Sequence, residues 1–109
     1  MNGDWGIGNG AKVAANPAYV RQRFSAAVST LAESRGRIKE RLLDAYRRHL
    51  VDALDKPDGL SAKTRSHIQA LRKRLATAET MNEDQAVEAA RQIVYLAWEL
   101  TNEVAGEGA

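Results

Sequence analysis

From Pro17 onward, the apolar residues of this chain return with the period of a helix face. Val20, Phe24, Ala27, Leu31, Ile38, Leu42 and Ala45 are spaced three, four or seven apart. Residues at those separations lie on one side of an α-helix. No segment alternates apolar and polar side chains as a half-buried strand does. The pattern predicts an all-α helical bundle.

Punctuation divides the pattern into three stretches. The first starts at Asn16-Pro17, a capping residue followed by a residue suited to the first helical position. It runs to about residue 54 and has one weak point, Gly36, which costs about 1 kcal/mol against alanine inside a helix. Two architectures compete there. A turn over Ser34 to Gly36 gives four helices of similar length. A continuous rod, bent or broken at most near Gly36, is about 57 Å long. Steps of 3.6 residues from Val20 fall close to Leu31, Ile38, Leu42, Ala45 and His49. That preserved phase favours the rod.

Asp55-Lys56-Pro57-Asp58-Gly59 breaks the pattern. A second helix is expected over about 61–79, capped by Ser61, with Thr64, Ile68, Leu71, Leu75 and Ala78 as its stripe. Thr80-Met81-Asn82 forms the next break, and a third helix is expected over about 83–105. Asn82 and Gln85 form its capping box, Glu83 and Asp84 suit the positive end of its dipole, and Gly106 is its expected stop. Its middle, Ile93 to Trp98, is six apolar or aromatic residues in a row. Such a run covers all sides of a helix, so this helix is central or has a second apolar face for a partner. Residues 1–16 hold four of the eight glycines and read as a flexible tail, with Trp5 and Ile7 able to dock. Residues 17–109 read as one helical-bundle domain.

A chain of 109 residues is long enough for one core without metal or disulfide staples. The absence of cysteine removes thiolate metal sites and thiol catalysis. No stretch of eighteen apolar residues suggests a membrane span. The first residues lack the basic start and apolar run of a secretory signal, so a cytoplasmic location is the default expectation.

The net charge of +2 conceals an uneven distribution. Residues 17–54 hold eight Lys or Arg and four Asp or Glu, residues 60–80 five and one, and residues 81–109 one and six. Arg37, Arg41 and Arg48 fall on one face, as do Arg65 and Arg72, with Lys73 and Arg74 beside them. These seven are the candidate anion-binding residues, for phosphates above all. Interleaved Glu40, Asp44 and Asp52 blunt the field, and the aromatic interleaving of single-strand binders is missing.

Reactive constellations are not evident. His49 and His67 are the two histidines, and neither belongs to the repeated Glu-x-x-His segments of metal-binding bundles. Each reads as a boundary histidine with a carboxylate or backbone partner. Gly6-Ile7-Gly8-Asn9-Gly10 lacks the strand and Lys-Ser/Thr of a phosphate loop. No catalytic, cofactor or metal residues are expected. Phe24 and Trp98 read as packing residues; Tyr19, Tyr46 and Tyr95 suit a core margin or interface.

The order of a long, a short and a medium helix with several Arg and Lys resembles the all-helical chorismate mutases. The resemblance covers helix order and no aligned motif. It implies an intertwined dimer that binds a dicarboxylate, with Arg35, Arg37, Arg65 and Gln92 in the binding roles.

The leading expectation is a self-associating protein-interaction or scaffolding module, a dimer above other oligomers. A continuous first helix overhangs its partners and leaves Val20, Phe24, Val28 and Leu31 to be covered by a second copy, joined by Val94, Tyr95 and Trp98 of the third helix. The second expectation is a nucleic-acid-binding module using the basic faces. A small-ligand enzyme comes third.

Overall fold

A computed structural model describes residues 17–56 and 59–108, with side chains as far as Val104. The expectations for residues 1–16 lie outside the described residues. Helix α1 is Pro17–Glu33. Helix α2 begins as Ile38–Ala45, widens into a π turn at Tyr46–Leu50 and ends with Val51–Ala53. Helix α3 is Ala62–Leu75, followed by a 3₁₀ turn at Ala78–Thr80. Helix α4 is Glu83–Gly108. The fold is an all-α bundle, with no strand among the described residues.

The rod expected through Gly36 is instead a helical hairpin. Gly36 has φ +102°, a conformation available to glycine and strained for side-chain-bearing residues. The Ser34 amide still bonds the Thr30 carbonyl at 2.9 Å, so α1 ends there. The Arg37 amide donates to Glu40 Oε1 at 2.8 Å and opens α2. Arg41 Nη1 donates to the Leu31 carbonyl at 3.0 Å, and Ser34 Oγ to Asp44 at 3.2 Å, tying the corner together. At the other end, Tyr19 Oη donates to Asp52 at 3.0 Å. Early α1 therefore faces late α2, and the pair is antiparallel.

The π turn resets the phase of α2. Leu42 and Ala45 are buried, then Leu50, Ala53 and Leu54. The step from Ala45 to Leu50 is five residues, the spacing of a π turn. A plain α-helix would have set His49 on the core, as the sequence phase predicted. The extra residue turns Leu50 inward and leaves His49 at the margin.

Capping matches the sequence in α3 and α4. Ser61 Oγ accepts the Thr64 amide at 3.2 Å. Asn82 and Gln85 exchange bonds of 2.8 and 2.9 Å. Helix α3 stops at Leu75, four residues before its expected end, with the 3₁₀ turn completing that stretch. Helix α4 passes Gly106, its expected stop, and continues to Gly108.

Helix α4 is the centre of the bundle and packs on α1, α2 and α3. Ala86, Ala89, Ala90, Ile93, Leu96 and Leu100 are buried along it; the three alanines let neighbouring backbones approach closely. Val20, Phe24, Ala27 and Leu31 of α1 pack into the same core, with Ile68, Leu71 and Leu75 of α3. This corrects the proposed overhang. Val20 and Phe24 are fully buried, and Leu31 is nearly so. The turn at Gly36 folds α2 back alongside α1, so the apolar face of α1 is covered within the chain.

Candidate functional site

The second apolar face anticipated for the last helix is present. Opposite its buried side, α4 exposes Val94 by 50 %, Tyr95 by 46 % and Trp98 by 63 %. Trp98 is thus a surface residue, not the core residue its spacing suggested. Tyr95 sits between two rings: its centroid is 5.9 Å from that of Trp98 and 6.0 Å, edge-on, from that of His67 on α3.

Beside Val94 lies a groove of about 620 Å³. Val28, Leu31 and Ala32 at the end of α1 and Ile38 at the start of α2 form one wall. Val87, Ala90, Arg91, Val94 and Tyr95 of α4 form the other. Arg91 is the one charged residue of this lining, and it pairs with Glu88 at 3.0 Å. The hairpin creates the groove, because Gly36 brings Ile38 back beside Leu31. Of the seven self-association candidates, Val94, Tyr95 and Trp98 are exposed together. Val28 is half-buried in the groove wall and Leu31 is a buried part of it; Val20 and Phe24 are core.

Two polar clusters lie elsewhere. Between α3 and α4, the buried Thr64 hydroxyl is 2.9 Å from Glu99 Oε2 and 2.6 Å from Glu103 Oε1. Its single proton serves two carboxylates. Ser61 donates to Glu103 from its amide at 2.7 Å and its hydroxyl at 2.9 Å. His67 Nδ1 approaches Glu99 Oε1 at 2.8 Å. Burial opposes ionisation of Glu103, but the bonds from Thr64 and Ser61 outweigh it and hold its carboxyl below the ordinary range.

Between α1 and α2, Arg23 donates to the carbonyls of Arg48 at 2.7 Å and His49 at 3.2 Å. It also approaches His49 Nδ1 at 3.3 Å. Arginine only donates, so Nδ1 accepts and the ring proton sits on Nε2, 2.8 Å from Thr30 Oγ1. Burial and the charges of Arg23 and Arg48 hold the imidazole below the usual histidine range, against the opposing pull of Asp44. This is a neutral structural histidine. Among the described residues no group of three His, Asp or Glu is arranged to hold a metal ion.

The anion-binding candidates are dispersed and partly engaged. Arg41 is half-buried on the Leu31 carbonyl, Arg48 pairs with Asp44 at 3.1 Å, and Arg72 pairs with Asp55 at 3.0 Å. Arg37 is exposed at the α1–α2 corner; Arg65, Lys73 and Arg74 are exposed on α3. Asp52, beside the basic face, is held well ionised by the Lys56 ammonium and the Tyr19 hydroxyl. The residues implied by the mutase resemblance are also spread out. Arg35 and Arg37 stand at the corner, Arg65 on α3, and Gln92 is half-buried on α4.

Sequence reasoning missed the groove and the Thr64–Glu99–Glu103 cluster. The groove depends on a turn that helical phase disguised. The cluster joins residues 35 and 39 positions apart, although Glu99 and Glu103 at four-residue spacing marked one helix face. No protein-family model matches the sequence, and comparisons with curated proteins and with solved structures returned no match.

Among the described residues, no helix is long and apolar enough to cross a membrane.

Proposed function

We propose that the protein is a self-associating interaction module whose contact surface is the outer face of α4 and the adjoining groove. One observation carries the reading: Val94, Tyr95 and Trp98 stand 46–63 % exposed beside an apolar groove. Each large apolar side chain removed from water contributes about 1.5–3 kcal/mol. Contiguous apolar surface rimmed by polar residues is characteristic of contact sites. Aromatic anchors in particular dominate binding energies. The overhang of α1 no longer supports the reading; α4 does.

The nucleic-acid reading has less support. Arg41, Arg48 and Arg72 already have partners within the chain, which leaves Arg37 at the α1–α2 corner and Arg65, Lys73 and Arg74 on α3. A small-ligand enzyme has less still, because the groove is apolar and offers one charged residue, Arg91, itself paired.

Sedimentation equilibrium of the wild type and of Val94→Asp tests the proposal. The expected result is a wild-type dimer at micromolar concentration and a Val94→Asp monomer with an unchanged helical spectrum. A wild-type monomer of 11.9 kDa at every concentration would overturn it.

A further inference from the structure

Val87, Arg91, Val94, Trp98 and Thr101 recur four and three apart along α4, the spacing of a helix–helix seam. This seam carries a recess and a projection. The α4 wall of the groove runs from Val87 to Tyr95, with its middle at Arg91. Trp98, the most exposed large apolar residue described, stands seven residues further on, about 10 Å along the helix.

We infer that two copies of this chain meet through antiparallel α4 helices, about a twofold axis beside Val94 and Tyr95, with Trp98 of each copy seated in the groove of the other. The inference rests on the self-association reading above and assigns its geometry. A recess and a projection on one stripe are complemented by the same stripe turned end for end, and the twofold then falls midway between them. Parallel pairing sets indole against indole and leaves both grooves empty.

Two further features favour the antiparallel arrangement. Arg91 lines the groove wall, so an entering indole would come beside its cation, which pairs with Glu88 at 3.0 Å. Antiparallel pairing also opposes the two helix dipoles, which parallel pairing would align.

The chain has no cysteine, so introduced thiols report without background. Val87→Cys and Thr101→Cys proteins are purified separately, checked for wild-type helicity, mixed, and treated with a short bis-maleimide. In the inferred geometry residue 87 of one copy faces residue 101 of the other, whereas the two copies of residue 87 are about 20 Å apart. Mixed cross-links in excess of the statistical share, with Val94→Cys linking to itself, are the expected result. Predominant 87–87 and 101–101 links would overturn the inference in favour of parallel pairing and leave self-association standing. A sedimenting dimer with no link at any of the three positions would also overturn it, placing the interface elsewhere. A monomer throughout would remove both readings.

Fluorescence gives a second readout. In a Trp5→Phe background, Trp98 is the one indole left, since the chain has two. Its emission should shift to the blue and its iodide quenching should fall as concentration rises through the dimerisation range. Emission unchanged while the protein dimerises would overturn the seating of Trp98.

Discussion

At the scale of single residues, two polar groups set the chemistry, the half-buried His49 and the buried Thr64. His49 is neutral because burial and two guanidinium groups disfavour its protonated form. Its folded pKa therefore lies below the unfolded value of 6.5. Below that pH the unfolded chain takes up a proton that the folded chain resists, and stability falls as pH drops through 6.5. Urea unfolding midpoints between pH 7.5 and 5 should fall for the wild type and fall less for His49→Gln. Thr64 is the other case. Its hydroxyl faces two carboxylates, one of them the buried Glu99. Thr64→Val leaves both short of a donor and should cost about 1–3 kcal/mol at neutral pH by urea unfolding, with Thr64→Ser much milder. The sequence marked Ser61 as a cap but could not pair Thr64 with Glu99, because that contact depends on how α3 lies against α4.

At the scale of elements, the turn at Gly36 is where sequence and structure part. Leu31 and Ile38 are seven residues apart, two turns of an uninterrupted helix. A four-residue corner happens to preserve that separation, so phase could not distinguish a rod from a hairpin. The informative signs were local: a glycine, and Glu40 placed three residues after Arg37 to receive its amide. Gly36→Ala separates the two structures by sign. In a continuous helix alanine would stabilise by about 1 kcal/mol. At φ +102°, a Cβ would meet Glu40 Oε1 at 2.5 Å, and a destabilisation of about 1–2 kcal/mol is expected by chemical denaturation. The Ser61 cap, the Asn82–Gln85 capping box and the breaks at residues 55–59 and 80–82 were legible because they are written in adjacent residues.

At the scale of the whole molecule, the proposed contact surface is the outer face of α4. The all-round apolar run from Ile93 to Trp98 pointed either to a central helix or to a second apolar face. It did not show which residues lie on which face, because that assignment depends on the positions of α1 and α3. With Ile93, Leu96 and Leu100 turned inward, Trp98 is left outside. Truncating it should not behave as a core deletion. The thermal midpoint of the wild type should rise with protein concentration, as mass action requires of a dimer. Trp98→Ala should abolish that dependence while changing the stability of the dilute monomer by no more than about 0.5 kcal/mol. A loss of several kcal/mol in the monomer would return Trp98 to the interior.

The widened turn at Tyr46–Leu50 also bears on how this chain tolerates a change in length. It places one extra residue in an otherwise regular helix. Removing Arg47 would bring the inward residues from spacing Leu42, Ala45, Leu50, Ala53, Leu54 to three, four, three and one, the rhythm of an unbroken α-helix. The shortened protein should fold with its helicity intact by circular dichroism. What it should lose is the Arg23 clamp on the His49 and Arg48 carbonyls, and with it the share of acid sensitivity that His49 contributes. A chain of 108 residues that melts as cooperatively as the parent would show the extra residue to be dispensable to the fold. Collapse of the fold would make that extra residue indispensable to the hairpin.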